Sequence, residues 1–147
     1  MTMKREIEFR GRTSKGEWVY GCLLNNKHDR IGFYNNVYKF EINAVIPETV
    51  GQYIGITDKN GKKVYVGDIV YCSYHNCEVV FGLYGVGDYK TVGFFMKVNE
   101  ALFTDEEDNF VYWGFEDSDK IEVLGNVFDN HELLNKIEYK GESENGD

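Results

Sequence analysis

The sequence predicts a mainly β fold of antiparallel strands and hairpins, and three observations carry that expectation. Aromatic residues make up 16% of the 147-residue chain, with 11 Tyr and 10 Phe, and such side chains suit the half-buried surface of a pleated sheet. Gly numbers 16 against a single Pro, a balance that favours tight turns over helix. Turn residues recur between short apolar runs at residues 14–16, Asn35-Asn36 and Asn60-Gly61, where hairpins need backbone with positive φ.

Residues 5–10 alternate, with Ile7 and Phe9 on one side and Glu6, Glu8 and Arg10 on the other, the period of a half-buried strand. A turn over residues 12–16 and a strand over 18–24 complete a first hairpin. After a polar loop at 25–29, strands at 31–34 and 37–40 flank Asn35-Asn36. Pro47-Glu48-Thr49-Val50 suits a short helical turn or bend, because proline cannot donate to a central ladder. Strands at 53–57 and 63–66 flank Asp58-Lys59-Asn60-Gly61, read as a type I′ hairpin. Further strands are expected at 69–71, 77–83, 91–97, 110–115 and 120–125, with bends or bulges at Gly82, Gly85, Gly87 and Gly93. Residues 99–109 read as a loop or a short helix.

One helix is signalled, near the C-terminus. Asp129 is placed to cap it, Glu132 follows at capping-box spacing, and Leu133, Leu134 and Ile137 form its apolar stripe. Residues 140–147 lack large apolar side chains and read as a disordered tail. No internal repeat is present. The expected core comprises Phe9, Trp18, Tyr53, Ile54, Val64, Ile69, Val70, Val79, Phe94, Val123, Leu124 and Leu134.

The formal charge is −9, and it is unevenly distributed. Residues 1–99 carry 13 basic and 10 acidic side chains, and residues 100–147 carry 3 basic and 15 acidic. That balance argues against a surface that coats phosphate backbones. The acidic region 105–119, densest at Asp105-Glu106-Glu107-Asp108, reads as a solvated face that keeps the protein soluble. A negative surface for a basic partner is the alternative reading, and the spacing is not that of an EF-hand. Cys22, Cys72 and Cys77 form an odd set. With no signal peptide at the N-terminus and no apolar run near the roughly 20 residues of a membrane span, they imply free thiols in a reducing cytoplasm.

Candidate chemistry is sparse. Cys72, His75 and Cys77 cluster within six residues, but zinc wants four ligands, which leaves Cys22, His28 and His131 to arrive from elsewhere. An ordinary turn between strands is the simpler reading. No structural zinc and no other metal or cofactor is expected. A Cys-His nucleophile lacks a visible orienter. Gly82-Leu83-Tyr84-Gly85-Val86-Gly87 resembles a phosphate loop only superficially, since neither a helix nor Lys-Ser or Lys-Thr follows. Aromatics near Arg10 and Arg12 have the composition of a base-stacking surface, although core packing accounts for most of them.

Four blocks carry a resemblance. The first spans residues 4–20 and includes Gly16-Glu17-Trp18-Val19-Tyr20-Gly21. The second is Pro47-Glu48-Thr49-Val50-Gly51-Gln52-Tyr53-Ile54-Gly55, and the third runs from Asp58-Lys59-Asn60-Gly61 through Val64-Tyr65-Val66-Gly67-Asp68-Ile69-Val70. The chain closes the pattern with Ile121-Glu122-Val123-Leu124-Gly125-Asn126 and the residues to Leu134. In this order the sequence resembles the YopX family of bacteriophage and prophage proteins over roughly residues 4–135. Residues 72–119 match little beyond strand pattern.

The resemblance implies an N-terminal β segment, residues 1–60, and a C-terminal domain similar to an SH3-like barrel, residues 61–139 with the terminal helix. The sequence permits this: Gly67-Asp68-Ile69-Val70 reads as a turn entering a core strand, with Asp68 bonding nearby backbone N–H groups. The resemblance supplies no reaction, catalytic residue or cofactor, and its phage origin implies a bacterial host cytoplasm. The expectation is therefore a non-enzymatic interaction or assembly module, a homo-oligomer, with a host or phage protein as a further partner and no membrane. The alternative is a nucleic-acid role, either weak single-strand binding or acidic mimicry of DNA.

Overall fold

The computed structural model describes residues 5–24, 29–36, 39–72, 75–98, 112–115 and 120–135. The chain forms two compact units, the first ending at Ile56 and the second beginning at Thr57. Both are antiparallel β structures, as the turn-rich, aromatic sequence predicts.

In the first unit, β1 (Phe9–Arg12), β2 (Trp18–Leu23), β3 (Arg30–Asn36), β4 (Lys39–Ala44) and β5 (Ile46–Thr57) lie in the order β4-β3-β2-β1-β5. The ladder between β1 and β2 starts at Phe9↔Gly21. Ile7 precedes it and is exposed, while Phe9 is half-buried. The β1–β2 turn is closed by the Thr13 N–H on Glu17 O at 2.8 Å and the Gly16 N–H on Thr13 O at 2.9 Å. The β3–β4 hairpin exists, but Asn36 pairs with Lys39. Asn35 and Asn36 therefore belong to strand β3 rather than to its turn, and residues 37–38 lie outside the described residues.

Pro47 lies within β5 rather than in a helical turn, and the ladder explains how. Arg10 faces Gly51 and Arg12 faces Ile46, so residues 47–50 bulge out of register. Proline is tolerated at such a bulge because no ladder bond is asked of it. Thr49 bridges the gap: its Oγ1 accepts from the Arg12 N–H at 2.8 Å and donates to Ile46 O at 2.6 Å. Beside it, Gly11 approaches Val45 so closely that a Cβ would lie 2.9 Å from the Val45 side chain.

The second unit opens on a turn closed by the Asp58 N–H on Lys62 O and the Gly61 N–H on Asp58 O. Gly61 carries φ of 81°, and the turn spans more residues than the expected two-residue type I′ loop. After β6 (Lys63–Tyr65), Gly67 turns the chain with φ of 94°. Asp68 then accepts from the Tyr65 N–H at 2.8 Å, the bond expected of it. Next come β7 (Asp68–Cys72), β8 (His75–Val86), β9 (Tyr89–Val98), β10 (Tyr112–Trp113) and β11 (Glu122–Asn126), in sheet order β10-β9-β8-β7-β11. No pairing of β10 with β11 occurs among the described residues. Strands β8 and β9 keep register from Cys77↔Val98 to Val86↔Tyr89, so Gly82 and Gly93 lie directly opposite each other and mark no bulge.

The C-terminal helix is corrected to a single 3-10 turn, His131–Asn135. The Asn126 side chain organises the preceding turn, its Oδ1 accepting from the N–H groups of Phe128 and Asp129 and its Nδ2 donating to Asp129 Oδ2. Leu134 is buried, and the Asn76 amide donates to Leu133 O at 2.8 Å, tying the turn to β8. Ile137 lies outside the described residues, as does the tail at 140–147.

Of the expected core, Tyr53, Ile54, Val64, Ile69, Val70, Val79 and Leu134 are buried. Phe9, Trp18, Phe94, Val123 and Leu124 are only half-buried. Leu124 sits at a register shift between Val123↔Val70 and Gly125↔Ile69, which lifts it from the ladder. Ile31, Met96, Val98 and Ile121 are core residues that the sequence reading missed.

Ile69 has no exposed surface, so Ile69→Ala should cost about 2–5 kcal/mol. Leu124→Ala should cost clearly less. Urea unfolding at unchanged m-value measures both, and equal losses would place Leu124 in the core.

Candidate functional site

Antiparallel sheets have two faces, and residues directly opposite on neighbouring strands share one. Register therefore assigns each side chain a face. In the first unit, Cys22 opposes Gly32, Gly32 opposes Ile42 and Tyr34 opposes Phe40. Arg10 opposes Tyr20 and Arg12 opposes Trp18 on the same side. This face is open: Tyr34 is 74% and Ile42 58% exposed, with Tyr20, Leu24 and Phe40 also exposed. Tyr34 and Phe40 meet edge to face, centroids 5.1 Å apart. A Cβ on Gly32 would collide with the Phe40 ring and Leu24, so the glycine lets those side chains lie across the sheet.

The second unit presents a different surface. Beyond the stretch paired with β7, the β8–β9 hairpin continues as a two-stranded ribbon. Leu83 opposes Val92 and Phe81 opposes Phe94. Phe81 and Leu83 are each 60% exposed and Val92 is 64% exposed. The Phe81 and Phe94 rings meet edge to face at 5.1 Å. The other side of the ribbon is finished differently. Tyr84 stacks on Phe95 at 4.7 Å, and the two rings lie over Gly93 and Gly82.

The titratable residues are engaged in folding roles. Asp58 Oδ1 accepts from the N–H groups of Asn60 and Lys62 at 2.9 and 2.8 Å, and Oδ2 from that of Val123 at 2.9 Å. Burial alone would raise its pKa, but these bonds and the Lys62 charge outweigh burial and hold it below the ordinary carboxylate value. Glu78 opposes Lys97 on the β8–β9 ladder. Burial raises its carboxyl above the usual value, and Lys97 and His131 only partly offset this.

The Cys-His segment does not converge on a ligand. Residues 73–74 and His28 lie outside the described residues. Cys72 opposes His75 and Val70 opposes Cys77, so the two thiols are diagonal neighbours on adjacent strands, a spacing of about 7–8 Å between backbones. Burial, and then Cys72, push the Cys77 thiol up to about 12. Cys22 is exposed on the first sheet, and His131 is exposed on the 3-10 turn. Among the described residues no three His, Cys, Asp or Glu side chains gather as metal ligands would. Gly82 to Gly87 is strand and turn, not a phosphate cradle. Arg10 is buried with its guanidinium 4.8 Å over the Trp18 ring, which stacks it on protein rather than on a base. Arg12 is half-buried. Of the acidic region 105–119, only residues 112–115 are described. No helix among the described residues is long and apolar enough to cross a membrane.

Of the two faces, the sequence pointed only to aromatics near Arg10 and Arg12, and the ribbon was not singled out. The signal for the ribbon was present: Val79-Val80-Phe81-Gly82-Leu83-Tyr84 and Val92-Gly93-Phe94-Phe95-Met96 are apolar on both alternations. A hairpin so composed has one apolar side more than a single core covers.

Comparison with known proteins adds a family. The family model described as YopX protein matches residues 8–135. No relative is found among curated proteins. Among solved structures, the crystal structure of protein EF1440 from Enterococcus faecalis is similar with a TM-score of 0.46 and 20% identity. The match covers 89% of this chain and 99% of that one.

Two outcomes follow from the titratable groups. The stability that Asp58 contributes is fully present above its ordinary value of 3.8 and is lost as pH falls through the lowered native value. Acid unfolding of Asp58→Asn should therefore show a shallower loss below about pH 4 than the native chain; identical slopes would remove Asp58 from the account. Under native conditions iodoacetamide should label Cys22 well before Cys77, read by peptide mass spectrometry. Equal labelling rates would contradict the burial of Cys77.

Proposed function

We propose that this chain, which belongs to the YopX protein family, is a non-enzymatic assembly module that associates with a second copy of itself through the β8–β9 ribbon. The observation that carries this reading is the apolar side of that ribbon, where Phe81, Leu83 and Val92 are each at least 60% exposed. Exposed apolar patches of a few hundred Å² mark contacts, and an isolated two-stranded ribbon is marginal without something packed on it. On this side the pairs Phe81↔Phe94 and Leu83↔Val92 bear no charge, and Lys90, opposite Gly85, stands at the outer end. Two copies related by a two-fold axis therefore bring apolar pairs onto apolar pairs without repulsion, and the contact closes.

The non-enzymatic part is supported by the carboxylates and thiols themselves. Asp58 and Asp68 are bound to backbone N–H groups, and Cys77 is held protonated. For the second unit we infer an SH3-like barrel. The order β10-β9-β8-β7-β11, a meander whose last strand returns beside its first, supports it. A bacteriophage or prophage origin, a bacterial cytoplasmic location and a host or phage protein as a further partner complete the reading. They rest on the family and on three cysteines that are all free.

Light scattering at micromolar concentration should give a multiple of the 17.0 kDa chain mass. Leu83→Lys, on an exposed position, should return the mass to one chain with the fold intact by circular dichroism. A native mass of one chain that does not change on tenfold concentration contradicts the proposal.

A further inference from the structure

The β8–β9 ribbon has two edges, and they differ. One bond fixes which way the β8 backbone points. The Gly67 N–H donates to Val79 O at 2.8 Å, so Val79 turns its carbonyl to the β7 side. Backbone groups alternate along a strand, and Phe81 and Leu83 therefore turn theirs to that same side, away from β9. Strand β7 pairs with β8 only from Cys72↔His75 to Ile69↔Glu78, and no other strand among the described residues pairs with this edge. The free stretch is bounded. Gly67 takes Val79 O at one end, and Gly85, with φ of 117°, turns the chain at the other. From Val79 to Val86 the strand holds no charged residue and no proline. The β9 edge is different: β10 pairs at Met96 and Lys97, and Lys90 is exposed farther out. Lysine on an edge strand opposes pairing.

We propose that a second copy of this chain adds to the β8 edge as an antiparallel strand, so that the two ribbons form one four-stranded sheet. This rests on the self-association proposed for the ribbon and sets its geometry. The available groups select the register. Each copy offers the N–H and C=O of Phe81 and of Leu83. A two-fold axis at Gly82 places Phe81 opposite Leu83 of the second copy and uses all of them. An axis at Phe81 would set Leu83 against Val79, whose carbonyl is taken, and an axis at Leu83 would set Phe81 against Gly85, where the chain turns. Side chains two apart share a side, so the apolar pairs of one ribbon run on into those of the other. The occupant follows from charge. Each chain carries −9, and only a copy of the same uncharged stretch keeps that charge out of the ladder. A lone two-stranded ribbon is marginal, whereas a sheet of three or more strands is not. The axis consumes both β8 edges, and the outer edges bearing Lys90 do not propagate the sheet, so assembly closes at two copies.

Amide hydrogen exchange by NMR on the full chain, with light scattering on the same samples, tests it. The Gly82 amide faces β9 and should be protected at every concentration. Those of Phe81 and Leu83 should slow about tenfold or more, and only as the mass rises from one chain to two. Leu83→Pro keeps an apolar side chain and removes the outward N–H, a change that an edge strand tolerates. Leu83→Ala keeps the N–H and truncates the side chain. The proline variant should raise the dimer dissociation constant about tenfold more than the alanine variant. Exchange on the native chain does not depend on either variant folding. A dimer whose Phe81 and Leu83 amides exchange freely overturns the edge pairing while leaving the ribbon's self-association standing. Protection of those amides that is independent of concentration overturns it too, because the chain would then cover its own edge. A mass of one chain at every concentration overturns both.

Discussion

The second unit depends on one carboxylate. Asp58 binds the N–H groups of Asn60 and Lys62 within its own turn and that of Val123, 65 residues on, at the start of β11. The neighbouring Lys59 N–H donates to Ile121 O at 3.0 Å, and the Lys59 side chain lies 3.3 Å from Glu122. The surface ion pair contributes little on its own. The charge-assisted bonds contribute more, because each satisfies a backbone donor that would otherwise be lost to the ladder. By fixing β11 against the opening turn, Asp58 sets β7, which β11 pairs with, and β7 in turn sets β8.

That arrangement leaves surface uncovered. A sheet has two faces, and among the described residues no α-helix covers the second face of either sheet. In both units the outward side is aromatic or aliphatic rather than polar. The two outward sides are not equivalent, however. The ribbon of the second unit pairs Phe81 with Phe94 and Leu83 with Val92, with Lys90 at its outer end, which suits another apolar surface. The open face of the first carries exposed Tyr20, Tyr34, Phe40 and Ile42, with Arg30 on the same side. The two units thus present two exposed faces of different composition.

Much of the fold was legible in the sequence, because hairpin register is a local property. The alternation in 18–24, the Gly67-Asp68-Ile69-Val70 entry and the apolar run around Val79 each report their strand directly. The misreadings came where a distant partner decides. Pro47 reads as a chain breaker locally, but Thr49 and Arg12 supply a bulge that accommodates it. Residues 129–137 read as a capped helix, yet the described residues form only a 3-10 turn, His131–Asn135, after a turn organised by Asn126. Leu124 reads as core until the shift in β11 displaces it. The surfaces were the least legible part. Exposure of Tyr34 or Leu83 follows from which strands stop short, and nothing within a strand's own residues states that. The Cys-His cluster was visible in the sequence, and strand pairing places its two thiols on a diagonal of neighbouring strands.

The most direct measurement is amide hydrogen exchange by NMR on the native chain and on Asp58→Ala. The account predicts that the Val123, Asn60 and Lys62 amides lose protection together in the variant, with the β7–β11 ladder amides following and the β1–β2 hairpin amides unaffected. Unchanged protection at Val123 would contradict it, since the carboxylate would then not be what closes the second unit.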